Sequence, residues 1–274
     1  VSLSHYSARQ LVRLSYINGI QHTGITWNGA SPEDIETYGR RFNSAGMYKD
    51  EAGNIRYYDT DTDNYYSNIL QLMLSRELSN RLTMNASLSY MHGYGYYENY
   101  RAGSNLIKGD NFSKFGLPHQ VVDGVEYKSS QLVRRKLLSN NFYVANVSFN
   151  YNLNPLQLVW GGYWSYFDGN HYGRLPWIKY NNNIEENYEW YRNKGEKKEM
   201  NLFAKAEYGL NEKLLLFADM QYRYIDYRMS GTDDDLAHLT SNHYYSFFNP
   251  KGGMAYNINH TNQLYASISV GQRE

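Results

Sequence analysis

Between Asn141 and Tyr151 the chain reads NFYVANVSFNY, with Tyr143, Ala145, Val147, Phe149 and Tyr151 at alternate positions and Asn146, Ser148 and Asn150 between them. Successive side chains of a β-strand point to opposite faces, so such a segment has one apolar and one polar surface. Arg81–Tyr90, RLTMNASLSY, repeats the pattern: Leu82, Met84, Ala86, Leu88 and Tyr90 alternate with Thr83, Asn85, Ser87 and Ser89. A soluble strand is usually about 5–6 residues long, and alternation sustained beyond that length fits a strand with lipid on one side and a polar interior on the other.

The connections are unequal at the two ends of these strands. A strand over Tyr65–Leu78, with Leu70, Leu72 and Leu74 on its apolar side, joins the Arg81–Tyr90 strand through Ser79 and Asn80 alone. Leu153, Asn154 and Pro155 separate the 141–151 strand from Leu156–Phe167. GLNEK at Gly209–Lys213 separates Met200–Tyr208 from Leu214–Tyr227, and NINHTN at Asn257–Asn262 separates a strand ending near Tyr256 from Leu264–Val270. Residues 28–64, 98–130, 168–198 and 228–243, by contrast, read as long polar connections rich in Gly, Asn and Asp. Short turns at one end and long loops at the other predict an all-β, antiparallel, up-and-down transmembrane β-barrel. The count is about ten strands, including one near Tyr6–Ile17 that a turn could split and a possible short one near Trp177–Tyr180.

Composition agrees with this once strand geometry is considered. Mean hydropathy is −0.71, which a transmembrane helix could not tolerate, but a barrel strand shows lipid only every second residue. No stretch approaches the roughly 18 apolar residues of a transmembrane helix. Thirty tyrosines and an aromatic content of 16% suit aromatic-rich strands. A formal charge of zero gives no broad electrostatic footprint for nucleic acid, and Arg134, Arg135 and Lys136 are too short a cluster to supply one. With no cysteine in the sequence, disulfides, thiolate catalysis and cysteine-ligated zinc are excluded. Nor is there an HExxH, a phosphate-binding glycine loop or a nucleophile elbow, so no enzyme is expected. The chain opens on Val1 already in strand-like sequence and ends without an aromatic residue, which predicts a segment of a larger barrel.

Several phrases carry a family resemblance: HTGITWNG at His22–Gly29, YYDTDTDNYYSN at Tyr57–Asn68, YMHGYGYYENY at Tyr90–Tyr100, FNPKGGMAYNIN at Phe248–Asn259 and LYASISVGQRE at Leu264–Glu274. Pro250, Lys251 and Gly252, then the Asn259–Asn262 turn, then Gln272, Arg273 and Glu274 follow the order of the late strands of that family. Over essentially its whole length the chain resembles the C-terminal part of the barrel of a TonB-dependent outer-membrane receptor, of the kind abundant in the Bacteroidetes. The resemblance implies a 1–274 barrel segment of a 22-stranded receptor in the bacterial outer membrane, with an N-terminal plug domain and upstream strands outside this sequence. It also implies coupling to the TonB complex through the N-terminal region, and uptake of a scarce nutrient, with ferric siderophores or haem ahead of cobalamin, glycans or peptides. The competing class is a structural or adhesive outer-membrane barrel without coupled transport. A partner lipoprotein is left open, and no resident cofactor is expected.

Candidate sites each have an ordinary alternative. Tyr94, Tyr96 and Tyr97 could line a ligand-stacking mouth, or belong to the aromatic girdle that anchors a barrel at the headgroups. Trp160, Trp164 and Tyr166 read as girdle. Trp190 and Tyr191 lie in Asn181–Glu199, which reads as a substrate-gathering loop or the rim of two long strands. His238 and His243, beside Asp233, Asp234 and Asp235, and His171 near Asp168, are candidate ligands for haem iron or a metal, or plain surface polar groups. Asp59, Asp61 and Asp63, with Asp50 and Glu51 nearby, offer oxygen ligands for Ca²⁺, or simply a solvated loop. Lys205, Glu207, Asp219, Gln221 and Arg223 alternate with apolar neighbours and are expected to line the lumen or face the plug.

Overall fold

Short turns lay each strand beside its predecessor, and one continuous antiparallel sheet results. The computed structural model describes residues 1–25, 28–50, 52–101 and 109–273. In chain order the elements are β1 (Ser2–Ser7), β2 (Gln10–Gly24), α1 (Pro32–Tyr38), β3 (Met47–Lys49), β4 (Ile55–Tyr57), β5 (Thr62–Ser79) and β6 (Leu82–Arg101). They continue as α2 (Asn111–Lys114), β7 (Gln120–Val122), β8 (Val125–Tyr127), β9 (Leu132–Leu153), β10 (Leu156–Ile178), β11 (Tyr188–Gly209), β12 (Leu214–Thr232), β13 (His238–Asn257) and β14 (Gln263–Ser269). Ten strands pair in the order β1-β2-β5-β6-β9-β10-β11-β12-β13-β14, while β3–β4 and β7–β8 form separate two-stranded ribbons within connections. Thr26 and Trp27 of the His22–Gly29 phrase, Glu51 beside the loop aspartates, residues 102–108 of the 98–130 connection, and Glu274 lie outside the described residues.

The register places the predicted apolar residues in common rows. Leu82 pairs with Tyr151, Leu88 with Ala145, and Tyr90 with Tyr143, which pairs in turn with Tyr166. The Tyr90 and Tyr143 rings stack at 4.9 Å and the Tyr143 and Tyr166 rings at 6.2 Å, which makes an aromatic row across three strands. One step further from the short turns the row becomes polar: Asn68, His92, Asn141, Asp168 and Glu196 are successive partners. The apolar face therefore ends at the tyrosines. Along β10 it runs from Leu156 to Tyr166, roughly 33 Å of strand, and a tilt of about 40° makes this a band close to 25 Å tall. Leu88, Leu202, Met220 and Phe248 on this face are all at least half exposed, with no protein layer above them. Hydrocarbon is the medium that covers such a band.

Several expected boundaries are corrected. The turn that could split the Tyr6–Ile17 strand is present, at Ala8 and Arg9 between β1 and β2. The stretch near Trp177–Tyr180 is no extra strand, since β10 simply continues to Ile178. The connections expected over 168–198 and 228–243 are largely strand: β10 and β11 pair from Leu175 and Tyr188 onward, and β12 and β13 from Thr232 and His238, whereas in 98–130 the described residues hold only the end of β6 and the β7–β8 ribbon as strand. The wall thus extends well beyond the tyrosine row, and the loop expected at Asn181–Glu199 shrinks to the residues before Tyr188.

At the far end of this extension lies the main core. Phe112, Leu117, Leu132, Leu175, Ile178, Trp190 and Tyr191 form one buried cluster, with Phe112 and Leu132 wholly inaccessible. Phe112 and Leu117 come from the β6–β9 connection and the other five from strands β9, β10 and β11, and three connections lock together around them. Asn182 N donates to Gln120 Oε1 at 3.0 Å, Tyr180 N donates to Ser130 Oγ at 2.8 Å, and Tyr127 stacks on Tyr180 at 3.8 Å. Trp190 Nε1 donates to the Asp234 carbonyl at 3.3 Å, and Leu236 reaches over Gly116. Burying each large side chain here contributes about 1.5–3 kcal/mol, so the three connections form a folded cap.

Candidate functional site

Beneath the cap, on the polar face, strands β5, β6, β9, β10 and β11 enclose a pocket of about 190 Å³. The register explains its lining. Asp63 pairs with Tyr97, Tyr97 with Lys136, Lys136 with Gly173, and Gly173 with Tyr191. In the next row toward the membrane, Tyr65 pairs with Gly95, Gly95 with Leu138, and Leu138 with His171. All of these non-glycine residues line the pocket. Gly93 and Gly95 make room for Tyr65: a Cβ at Gly95 would lie 2.6 Å from Tyr65 Cδ2, and one at Gly93 only 2.2 Å from its hydroxyl oxygen.

The pocket is aromatic with few charges. Lys136 pairs with the carboxylate of Asp234, which arrives from the β12–β13 connection, and its ammonium lies 6.0 Å from the Tyr191 ring centroid. Burial and the nearby Asp234 push the Tyr191 hydroxyl above its ordinary range, so it stays a neutral donor.

Of the aromatic candidates, Tyr97 and Tyr191 meet in this pocket. Tyr96 borders it, with the Arg135 guanidinium 5.2 Å from its ring centroid. Tyr94 shares the face of the apolar band, one row beyond His92, and stacks with Tyr66 at 6.4 Å, on the other side of the wall from the pocket. Trp190, only 5% exposed, has its ring committed to the cap core. His238 and His243 are five residues apart on one strand and so face opposite ways; His243 bonds Ser241 Oγ at 2.8 Å and stacks with Tyr245. Asp61 accepts from Asn99 Nδ2 at 2.8 Å, while Asp63 takes its place in the pocket row. No group of three His, Asp or Glu side chains is arranged to hold a metal ion among the described residues. Tyr65, Lys136 and Leu138 were not among the sequence candidates. The signal for Tyr65 was the glycine at every second position of HGYGYY, which marks a wall with space for a neighbour's ring.

Lys205, Glu207, Asp219, Gln221 and Arg223 all fall on the polar face. Lys205 Nζ pairs with Glu207 at 2.6 Å and Arg223 Nε with Glu199 at 2.7 Å. Lys205, Asp219 and Lys251 are register partners across three strands, so charge sign alternates along the row.

The opposite face of the extension has its own polar hub. Glu98, 5% exposed, accepts from Tyr58 Oη at 2.6 Å and Thr60 Oγ1 at 2.7 Å and pairs with Arg135. Burial alone would raise its carboxyl, but these partners outweigh burial and the net shift is downward. This hub fastens the β2–β5 connection to the wall, beside the packed rings of Tyr48, Tyr58, Tyr100 and Trp177.

Comparison with solved structures identifies the architecture. The ferric-catecholate import receptor Fiu of E. coli K12, in its open form, superposes with a TM-score of 0.61 at 12% identity, over 100% of this chain and 46% of that one. The ferripyoverdine receptor of Pseudomonas aeruginosa gives 0.56 at 13%, over 96% and 33%, and the ferric yersiniabactin uptake receptor FyuA of Yersinia pestis 0.55 at 6%, over 94% and 34%. The chain thus spans less than half the length of these receptors. No curated protein matches it by sequence. Residues 6–274 match the family described as TonB dependent receptor-like, beta-barrel. With strand order, apolar band and family match in agreement, the chain forms part of an outer-membrane barrel and belongs to the TonB-dependent receptor-like β-barrel family.

Proposed function

We propose that this barrel serves TonB-coupled uptake of a ferric siderophore, and that the pocket formed by Tyr65, Tyr97, Lys136, His171 and Tyr191 is where the ligand is first held. The observation that carries this reading is the pocket's position: on the polar face, beyond the tyrosine row, at the end where the long connections lie. Tyrosine rings offer stacking surface to the planar chelating groups of such a ligand, and Lys136 a charge for an anionic complex. Similarity to receptors whose names specify ferric ligands supports iron chelates ahead of haem, cobalamin, glycans or peptides. The Bacteroidetes-type affiliation rests on the sequence phrases alone. In this reading Lys205, Glu207, Asp219, Gln221 and Arg223 line the lumen and face a plug domain, which belongs to the rest of the receptor together with the TonB contact.

The test is uptake of radiolabelled iron by cells producing the complete receptor, with and without a functional TonB. Ferric siderophores are supplied in parallel with haem and cobalamin. TonB-dependent accumulation of a ferric siderophore, lowered by Tyr97→Ala, is expected. Accumulation of haem or cobalamin alone, or iron uptake indifferent to TonB, would refute the proposal.

A further inference from the structure

We propose that the Asp234 carboxylate is an internal stand-in for an anionic ligand: it occupies Lys136 and must be displaced when an anionic, ring-bearing ligand binds. The inference rests on the pocket reading above and adds a competitor to it. Among the described residues lining the pocket, Lys136 is the one lysine or arginine. Its register partners are Tyr97 and Gly173, neither of them acidic, and the wall's own carboxylate, Asp63, stands two strands away in the same row. The acid comes instead from 98 residues along the chain, on the connection between β12 and β13.

That connection is built to deliver it. Trp190 Nε1 holds the Asp234 carbonyl, Asp234 N donates to Asp233 Oδ1 at 2.9 Å, and Leu236 adopts a positive φ of 68° that turns the chain back toward β13. Backbone and neighbours thus hold Asp234 in place while its carboxylate is left to reach Lys136. The Asp234 side chain is 41% exposed and that of Lys136 is 22% exposed, so the pair sits at an accessible edge where another anion can exchange with it. The Tyr191 ring beside the ammonium gives an exchanging ligand a surface on which to stack. A ligand combining a carboxylate or catecholate charge with an aromatic ring matches both features, whereas an uncharged chelate gains nothing from displacing Asp234.

The consequence is measurable in the complete receptor by equilibrium binding. The probes are 2,3-dihydroxybenzoate, its anionic ferric complex, and an uncharged ferric complex of acetohydroxamate. If the pair is closed most of the time, freeing Lys136 raises apparent affinity by the inverse of the open fraction. Asp234→Asn is then expected to tighten binding of the anionic probes about tenfold and leave the uncharged complex unchanged. Lys136→Met should abolish the preference for anions. The double reversal Lys136→Asp with Asp234→Lys should keep the cap resistant to protease yet lose anion binding, which separates ligand exchange from a purely structural role.

Asp234→Asn that leaves anion binding unchanged or weaker overturns the exchange. If the ferric complexes bind but Asp234→Asn has no effect, the iron reading stands and this inference falls. If only the iron-free acid binds, and Asp234→Asn tightens it, the inference stands and the iron reading falls. Failure of both anionic probes to bind overturns both.

Discussion

The ring of Tyr65 lies so close to Gly95 that a Cβ on the glycine would meet Tyr65 Cδ2 at 2.6 Å and the Asn64 carbonyl oxygen at 2.8 Å. The first contact could be relieved by a side-chain movement, but the second is with backbone. Gly95→Ala should therefore destabilise the wall by about 1–3 kcal/mol, the usual range for overpacking, and close the pocket. Thermal unfolding followed by the shift in gel mobility of the heated barrel checks the first effect, and ligand affinity the second. In a double-mutant cycle, Tyr65→Ala should recover part of the stability lost in Gly95→Ala, since the two changes share one space. Strict additivity would show that the ring and the glycine are not coupled.

The cap carries a titrating clasp outside the membrane. His119 Nε2 lies 2.7 Å from Asp110 Oδ2 and its Nδ1 lies 3.1 Å from Glu126 Oε1. Hydrogen bonds to these two acids raise the His119 pKa, while Asp110, bonded by His119 and Ser113, is pushed well below the usual carboxylate range. A raised histidine pKa stabilises the folded cap fully below the unfolded value of about 6.5, and that contribution disappears as pH rises through the folded value. Proteolysis within residues 109–131 should accordingly be slower at pH 5.5 than at pH 8 relative to His119→Gln, in which this pH dependence is lost. An equal pH response in both proteins would mean that the clasp does not govern cap opening.

Leu202 and Gln221 lie on adjacent strands but on opposite faces: Leu202 pairs with Tyr222, and Gln221 with Phe203. Leu202, 50% exposed, belongs to the apolar band. Leu202→Arg should cost about 2–4 kcal/mol in lipid vesicles, the range for arginine near the bilayer midplane. Gln221→Arg should stay within about 0.5 kcal/mol, the usual range for a surface change. Denaturant unfolding of both variants in the same vesicles decides the matter, and similar losses would contradict the assignment of faces.

What was legible in the sequence follows from which surfaces the strands touch. From Asn141 to Tyr151, β9 meets hydrocarbon on one side and a polar interior on the other, so alternation is plain. Further along the same strand, LVRRKLLS shows none, because the connections cover it on both sides: Leu132 and Val133 are adjacent and both buried, as is Leu137. With period 2 erased, the sequence marks the strand only from Asn141, although the segment before it is fully paired. The pocket was hidden for a different reason. Asp63, Tyr97, Lys136, His171 and Tyr191 come from five strands, and only the register brings them together. Tyr97 and Tyr191 could be nominated as aromatics near a mouth, but Lys136 sat in a basic triplet whose middle member, Arg135, turns to the other face to meet Glu98.

The interlocked cap has a consequence for how antibodies would recognise it. Phe112, Tyr180 and Leu236 come from three separate stretches of chain, yet they belong to one folded body. An immunoglobulin raised against a linear peptide of residues 109–131 would be selected on a chain without the contacts that shape these residues in the folded cap. One raised against the intact barrel would recognise a composite epitope, and a substitution in any of the three stretches could abolish its grip.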